Sequence, residues 1–473
     1  MRRSGDFFSS RSTLFFPIIQ EEPVVGHTLT EVNDSPAAPS GAPSEDQSPE
    51  DQSPEGRRPR GAADAGPDHP AASQAQAHPG SAAPPAGPAL PAELRAELIA
   101  FRRDLHRHPE LGRQEFRTTE KIKARLEQAG LSPRVLPAGT GLVCDLGPDD
   151  PARGRLALRA DLDALPVPDT KTVEYRSTVE GRAHACGHDA HTSILLGTGL
   201  VLAELAREGR LTRPVRLVFQ AAEEIMPGGA LDAMKAGVLQ GVERILAVHC
   251  DPKVEVGRIG LRQGAITSAA DKLKLTLDGP GGHSARPHLT TDLVMAAAKL
   301  ATELPAALSR RVDPRSGLSV VWGRIQAGHA ANVIPQHAEL EGTVRCLELA
   351  AWHDAPDLIH EVIDQIAAIY RAKCEITYQR GVPPVVNEAD SVELLRDAMT
   401  ARFGAHTVED TEQSLGGEDF AWYLERVPGA LARLGVRPVG DTAKRDLHQG
   451  DFDVDEGAIA VGVELFTAAA LLS

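Results

Sequence analysis

Three short apolar runs, each ending on ionisable residues, constrain this chain more than any other feature. Leu156-Ala-Leu-Arg-Ala160 runs into Asp161 and Asp163, Val215-Arg-Leu-Val-Phe-Gln220 into Glu223 and Glu224, and Arg244-Ile-Leu-Ala-Val248 into His249. Apolar strands of this kind, separated by helical patterns, predict a mostly parallel sheet with helices on both faces. Ligands of such sheets bind outside the carboxyl ends of the strands. The three runs therefore deliver carboxylates and an imidazole to one edge. A charge at one strand end is commonplace, but packing alone does not account for the joint pattern.

Between the first and second runs lies Ala183-His-Ala-Cys-Gly-His-Asp-Ala-His191, which puts one thiol, three imidazoles and a carboxylate into the eight residues His184 to His191. Cys186 and His188 flank Gly187, so a turn there lets both side chains reach one small volume. Thiolate, imidazole and carboxylate together suit a borderline divalent ion such as zinc. The competing reading is a histidine-rich loop that caps the helix-like segment Thr192 to Leu205. His106 and His108 end a helix before Pro109 and have no liganding partner nearby in sequence, so they read as structural.

At 473 residues the chain exceeds one ordinary core, and two or more domains are expected. A net charge of −16 argues against nucleic-acid and membrane-surface partners, and no apolar run is long enough to span a bilayer. The five cysteines (Cys144, Cys186, Cys250, Cys346 and Cys374) are scattered and odd in number, without a CxxC. They form no disulfide framework, which predicts a reducing, cytoplasmic setting. Residues 1–88 read as a disordered arm that adds no core: from Ser35 to Pro88 they are rich in Pro, Ala, Gly, Ser and Gln, with Asp-Gln-Ser-Pro-Glu repeated at 46–50 and 51–55. The run Leu14 to Ile19 is broken by Pro17 and followed by acidic residues, so it does not read as a signal sequence. Order begins near Leu90, with helices expected over Pro91–His106 and Thr118–Gly130.

From Ala265 the pattern changes. Lys272–Asp278 alternates as a strand with one wet face should. A helix follows over Leu293–Leu308, then strands near Leu318–Gln326 and Ala338–Cys346. A second helix carries Ile359, Val362, Ile363, Ile366 and Ile369 on one stripe, and Cys374–Arg380 is the last strand. This β-α-β-β-α-β order is the split βαβ, ferredoxin-like unit. Residues 267–381 thus read as an inserted α+β domain, with 89–266 and 382–473 as the two parts of an α/β domain. The second part brings Gly416-Gly-Glu-Asp-Phe420 and Leu447-His448 to the first.

The string His184-Ala-Cys-Gly-His-Asp189, with Glu223-Glu224, Gly281-Gly-His283, Asn332-Val-Ile-Pro335, Glu418-Asp-Phe420 and Leu447-His448, resembles the M20 metallopeptidases. It is most similar to their amidohydrolase branch: N-acyl-amino-acid amidohydrolases, hippurate hydrolases and auxin-conjugate hydrolases. Six motifs in the family's order cover the chain from Ala92 onward. The resemblance implies a pair of divalent metal ions, zinc or manganese, bridged by Cys186 and further held by His188, Glu224, His249 and His448. It makes Glu223 the general base, which moves a proton from the activated water to the leaving amine, a use that suits the residue types. Asp161 or Asp163 could orient a liganding imidazole or simply end a strand.

The resemblance also makes the inserted domain a lid and the interface of a homodimer. His283 then reaches the partner's active site to stabilise the oxyanion, and Asn332 binds the substrate's carboxylate end. By themselves, glycine-preceded His283 and Asn332 read as turn residues. Arg380 and Arg345 are further candidates for that carboxylate, and Glu418 for the cleft wall. Two departures from the family stand out: Gln449-Gly450 follows His448 where relatives have Ser-Pro, and His329 follows Gly328 where a second glycine is usual. The expected substrate is a small N-acyl amino acid, the alternative a dipeptide. A catalytically dead metal-binding scaffold should have lost Glu223 or a ligand, and this chain keeps all of them.

Overall fold

The computed structural model describes residues 89–473 apart from 149 and 151, so the low-complexity arm lies outside the described residues. Helices α1 (Ala92–Arg107) and α2 (Phe116–Gln128) precede strands β1 (Arg134–Val135), β2 (Leu142–Leu146) and β3 (Arg155–Asp161). Next come α3 (His188–Arg207), β4 (Val215–Gln220), α4 (Ala230–Lys235), β5 (Val242–Glu255), β6 (Ile259–Leu261) and β7 (Gly264–Ala265). The middle of the chain supplies β8 (Ala270–Asp278), β9 (Gly282–His283), α5 (Leu293–Arg311), β10 (Ser319–Ala327), β11 (Val333–Ile334), β12 (His337–Arg345), α6 (Leu349–Ile369) and β13 (Lys373–Val382). The remainder is β14 (Val386–Asn387), α7 (Ala389–Phe403), β15 (Val408–Asp410), α8 (Ala421–Leu424), β16 (Gly429–Arg437) and α9 (Gly457–Leu472).

The large sheet has the order β1-β2-β4-β3-β5-β16-β6-β15. Its centre is parallel, β3 with β4 and β5, and β5 with β16. Period-two alternation divides each central strand between two cores. Leu156, Leu158 and Ala160 of β3, with Leu246 and Val248 of β5, pack against α1, α2, α3 and α9. Ala157, Ile245, Ala247 and Leu431 face the opposite way, toward α4 and α8. Burying one such leucine contributes about 1.5–3 kcal/mol, so the division fixes the register of every strand. The three apolar runs of the sequence are thus neighbours in the sheet, and their carboxyl ends share one edge.

The structure starts α3 at His188, four residues before the expected Thr192. Gly187 explains the difference. It sits in the left-handed region at φ 86°, and a Cβ on it would stand 2.8 Å from the Cys250 Sγ. The chain reverses there, so His188, Asp189 and His191 occupy the first turn of a helix rather than a loop.

The second sheet, β10-β12-β8-β13, is antiparallel throughout. In chain order its strands lie 2-3-1-4, the ferredoxin-like arrangement expected from the βαββαβ pattern. Leu273, Leu275 and Leu277 of β8 pack with Leu340 beneath α5 and α6, where Leu300, Ile359 and Ile363 complete a separate core. Lys274 and Arg324 pair with Glu339 and Glu341 on the open face, contacts that contribute little individually. The edge strand β10 leaves Val321 and Ile325 exposed. Strands β9 and β11 form a separate two-residue ribbon that aligns His283 with Val333.

Candidate metal centre

The edge of the large sheet gathers the side chains that the sequence singled out. Ligand atoms of Cys186, His188 and His249 lie within 4.8 Å of one another, and so do those of Cys186, Glu224 and His448. Cys186 belongs to both groups. His188 and Cys186 come from the Gly187 reversal, His249 from the end of β5, Glu224 from the turn after β4, and His448 from the turn before α9.

Hydrogen bonding fixes what each imidazole can offer. His249 Nδ1 donates to the Cys250 carbonyl at 2.8 Å, which leaves a bare lone pair on Nε2, 3.5 Å from the Cys186 Sγ. His191 is spoken for at both ends. Its Nε2 accepts from the Cys250 N–H at 2.8 Å and its Nδ1 donates to Asp161 at 2.6 Å. It therefore orients β5 and Asp161 and has no lone pair to give. Neither ring nitrogen of the fully buried His188 makes a well-formed hydrogen bond, nor does Glu224 Oε1. Their contacts are ion-pair contacts, His188 Nδ1 at 3.4 Å from Asp163 and Glu224 Oε1 at 3.3 Å from His448 Nε2. Buried polar atoms left unpaired are costly, so this cluster is built to receive something.

Charge argues the same way. Burial alone would lower the His188 pKa, but Asp161, Asp163 and Glu224 push it up to about 10. Burial, Glu224 and Glu223 raise the Cys186 thiol well above its ordinary value. Deeper in, the Arg159 guanidinium lies 2.7 Å from Asp161, 2.7 Å from Asp419 and 3.1 Å from Glu418. Glu223 faces Glu418 and Asp419, and burial together with those carboxylates holds its pKa well above the usual range. One guanidinium against so many carboxylates leaves a site that favours divalent cations.

Two backbone strains position the acids. Ala222 adopts φ 60° and His448 φ 65°, both unusual for residues with a side chain. The turn after β4 is clamped by Glu115, which accepts from Ala222 N at 2.7 Å, and by Asp163, which accepts from Glu223 N and Glu224 N at 3.1 and 3.0 Å. Asp163 thus holds the acidic turn, while Asp161 holds His191. His448 N donates to the Ala185 carbonyl, and its Nε2 comes to 3.3 Å from Glu224. The departure Gln449-Gly450 is accommodated beside it: the Gly450 carbonyl accepts from Thr170 N, and a Cβ on Gly450 would strike the Pro168 carbonyl at 2.3 Å.

Other sequence candidates lie elsewhere. His283 and Asn332 are exposed on the β9/β11 ribbon, where Ser284 N donates to the Asn332 carbonyl at 3.1 Å. His283 Nδ1 accepts from Ala285 N at 3.0 Å, so its proton sits on Nε2. Arg380 is engaged away from the cluster: its terminal nitrogens donate to the carbonyls of Trp352 and His353 at 2.9 and 2.8 Å, and the guanidinium lies over the Trp352 ring. Glu418 accepts from Phe420 N at 3.0 Å and pairs with Arg159, so it supports the deep network rather than an open wall.

Sequence reasoning missed the networks behind the site. Arg159 sits inside an apolar strand, a position that signals a buried ion pair, but its partners come from a distant segment. A second network was also missed. Asp189 accepts from His106 Nδ1 at 2.7 Å and pairs with Arg102 Nε at 2.7 Å, and Arg102 also reaches Asp453 at 2.7 Å. His106, read as structural because no liganding partner lies near it in sequence, is held between Asp189 and Asp169.

Arg102→Met should destabilise the protein by about 3–5 kcal/mol, because it removes the guanidinium from the fully buried Asp189 and from the half-buried Asp453. Burial raises the pKa of Asp189 and Asp453, but Arg102 and neighbouring donors outweigh it and hold both below their ordinary values. Their stabilisation is therefore complete above the unfolded-state pKa near 4 and is lost progressively as pH falls from there toward the depressed folded-state values. The gap between the two proteins in urea titrations should narrow as pH falls from about 4 to about 3. A constant gap down to pH 3 would contradict this assignment.

The sequence profile of peptidase family M20/M25/M40 matches residues 157–472. The chain belongs to this family. Its M20 relatives include the N-acetylcysteine deacetylase of Bacillus subtilis, 37% identical over 382 residues, which cover 80% of this chain and 97% of that protein. A Rhodococcus jostii protein named as a glutamate–cysteine ligase is 47% identical over 372 residues, 79% of this chain, but the match spans only 46% of that longer protein. Among solved structures, the YxeP protein of Bacillus subtilis, described as a dinuclear metal-binding peptidase of family M20, superposes with a TM-score of 0.70 at 34% identity. That superposition covers 80% of this chain and 98% of YxeP. This M20 chain is a metal-binding hydrolase of amide bonds. Among the described residues, no helix is long and apolar enough to cross a membrane.

Proposed function

We propose that this chain hydrolyses the amide bond of N-acyl amino acids, releasing a carboxylic acid and a free amino acid. The observation that carries the reading is the double membership of Cys186, shared between the His188–His249 and the Glu224–His448 groups. Cys186, His188, His249, Glu224 and His448 would hold a pair of divalent ions, zinc or manganese. Neither nitrogen of His188 makes a hydrogen bond, the Nε2 of His249 is bare, and thiolate, imidazole and carboxylate suit such ions. Such a pair, when bound, activates a water and polarises the scissile carbonyl.

The chain's own groups do the rest. Glu223 accepts from the Asp419 N–H at 3.4 Å and lies beside Glu224, and its carboxylate suits a base that takes a proton from water and returns it to the leaving nitrogen. Residues 267–381 are the dimerisation and lid domain of this reading. The exposed Val321 and Ile325 on an edge strand support a second copy seated there. His283, with its proton on Nε2, is a donor suited to an oxyanion in the partner's site, and Asn332 takes the carboxylate end. Arg380 drops out, since its donors are already used. The five free cysteines fit a cytoplasmic setting.

A panel of N-acetyl amino acids, N-benzoyl amino acids and dipeptides tests the substrate, assayed after chelation and after adding back Mn²⁺ or Zn²⁺. Restored turnover of the N-acyl compounds is expected. Turnover of dipeptides alone would favour the peptidase alternative, in line with the description of YxeP. The trans role of His283 has its own test. His283→Ala and Glu223→Gln should each be nearly inactive, and mixing them should restore up to about a quarter of wild-type activity by half-site counting. Confirmed subunit exchange without recovery would confine His283 to its own subunit.

A further inference from the structure

The turn that carries Glu223 and Glu224 does not end at the metal centre. It continues through Met226 and Pro227 to the root of residues 267–381, where that segment leaves β7 and returns to β14. Two bare glycines make room for the methionine there. A Cβ on Gly381 of β13 would stand 1.8 Å from the Ala270 carbonyl oxygen and 3.6 Å from the Met226 Sδ. A Cβ on Gly417 would stand 2.8 Å from the Ala270 Cβ, 2.9 Å from Val382 Cγ2 and 3.3 Å from Met226 Cε. The thioether end of Met226 thus lies where β8, β13 and the loop before Glu418 meet.

A second contact runs beside it. Trp422 of α8 donates its Nε1–H to the Pro227 carbonyl at 2.9 Å, and its ring meets that of Trp352 in a T-shaped pair with centroids 5.9 Å apart. Trp352 is buried in α6 at the root. Its Nε1 donates to Asp271 at 2.8 Å, and the same carboxylate accepts from the Tyr378 hydroxyl at 2.6 Å and from Gly381 N at 2.7 Å. Asp271 therefore ties α6, β13 and the start of β8 together, and Trp422 joins that knot to the acidic turn. Glu115 and Asp163 hold the same turn from the large-sheet side. The turn is gripped from both sides, and a shift of about 1 Å in a reacting group costs up to about 10²-fold in rate.

We propose that Met226 and Trp422 are positioning residues for the reaction. They seat the Glu223–Glu224 turn on the root of residues 267–381, so the placement of the general base depends on that root. The inference rests on the reading of Glu223 as the base and of residues 267–381 as a lid.

The experiment compares metal-loaded wild type, Met226→Ala, Met226→Leu and Trp422→Phe. Met226 and Trp422 are only half-buried, which favours folding of all three variants. Alanine empties the slot between the glycines, and leucine refills it at similar volume. Phenylalanine keeps a ring but loses the donor to Pro227. Met226→Ala and Trp422→Phe should each lower kcat by about 10-fold or more, with KM and metal content hardly changed, and Met226→Leu should recover most of kcat. A purely structural role would shift the melting temperature without that split between kcat and KM. Hydrogen–deuterium exchange adds a readout that needs no turnover. Adding Zn²⁺ to the chelated wild type should slow exchange in residues 377–382, because a metal held at Glu224 fixes the turn and, through Met226, the Gly381 N–H. Met226→Ala should bind zinc yet lose that slowing. An unchanged kcat in Met226→Ala, or slowing that persists in it, would overturn the assignment. If the wild type cleaves no N-acyl compound, the proposed function has failed, and the exchange comparison still decides whether turn and root are joined.

Discussion

Glu223→Gln should lower kcat by about 10²–10⁴ while both metal ions and the fold stay in place. The amide is isosteric and keeps an oxygen for the Asp419 N–H, which Glu223 now meets at 3.4 Å, so little structural reason exists for collapse. What disappears is the capacity to carry a proton. Removing a carboxylate from a cluster that also contains Glu418 and Asp419 relieves like-charge repulsion, and thermal stability should hold or rise slightly. Elemental analysis of the purified variant together with steady-state kinetics checks both halves. A variant depleted of metal would make Glu223 a ligand, and the division of labour with Glu224 would be wrong.

Cys186→Ala should be the most damaging change to metal content. Its thiol is the ligand atom common to both groups, whereas His249 and His448 each belong to one. Metal per subunit should fall from about two ions toward none in Cys186→Ala, but to about one in His448→Ala. Cys186→Asp should retain more metal than the alanine variant, since a carboxylate can also bridge. Equilibrium dialysis against zinc or manganese, followed by elemental analysis, reads this out without any assay of turnover. If the alanine and His448 variants bind equally, the centre is not shared.

Much of this arrangement was legible before any coordinates. Apolar runs that end on acids report the parallel sheet and its functional edge together, because the same strand geometry causes both. The clean alternation of Lys272 to Asp278 and the isoleucine stripe after Ile359 similarly gave the antiparallel sheet and the helix above it. The supporting networks were not legible. Arg159, Asp161 and Asp419 meet across distant segments, and no local period records such a meeting. The start of α3 was misplaced because a left-handed glycine can begin a helix as well as end one. Arg380 looked free in sequence, but the carbonyls of Trp352 and His353 that occupy it are backbone groups, which sequence does not advertise.

The shared cysteine has a consequence for how the centre is assembled. The group containing His188 and His249 closes a loop of only 63 residues from Cys186, whereas the group with His448 must close one about four times longer. Loop entropy makes the longer closure harder by roughly 1 kcal/mol, before any cost of the strained backbone at His448. The two groups of donors therefore differ in what they ask of the chain: the first is drawn from residues 186–249 alone, while the second is complete only once the distant returning segment has docked.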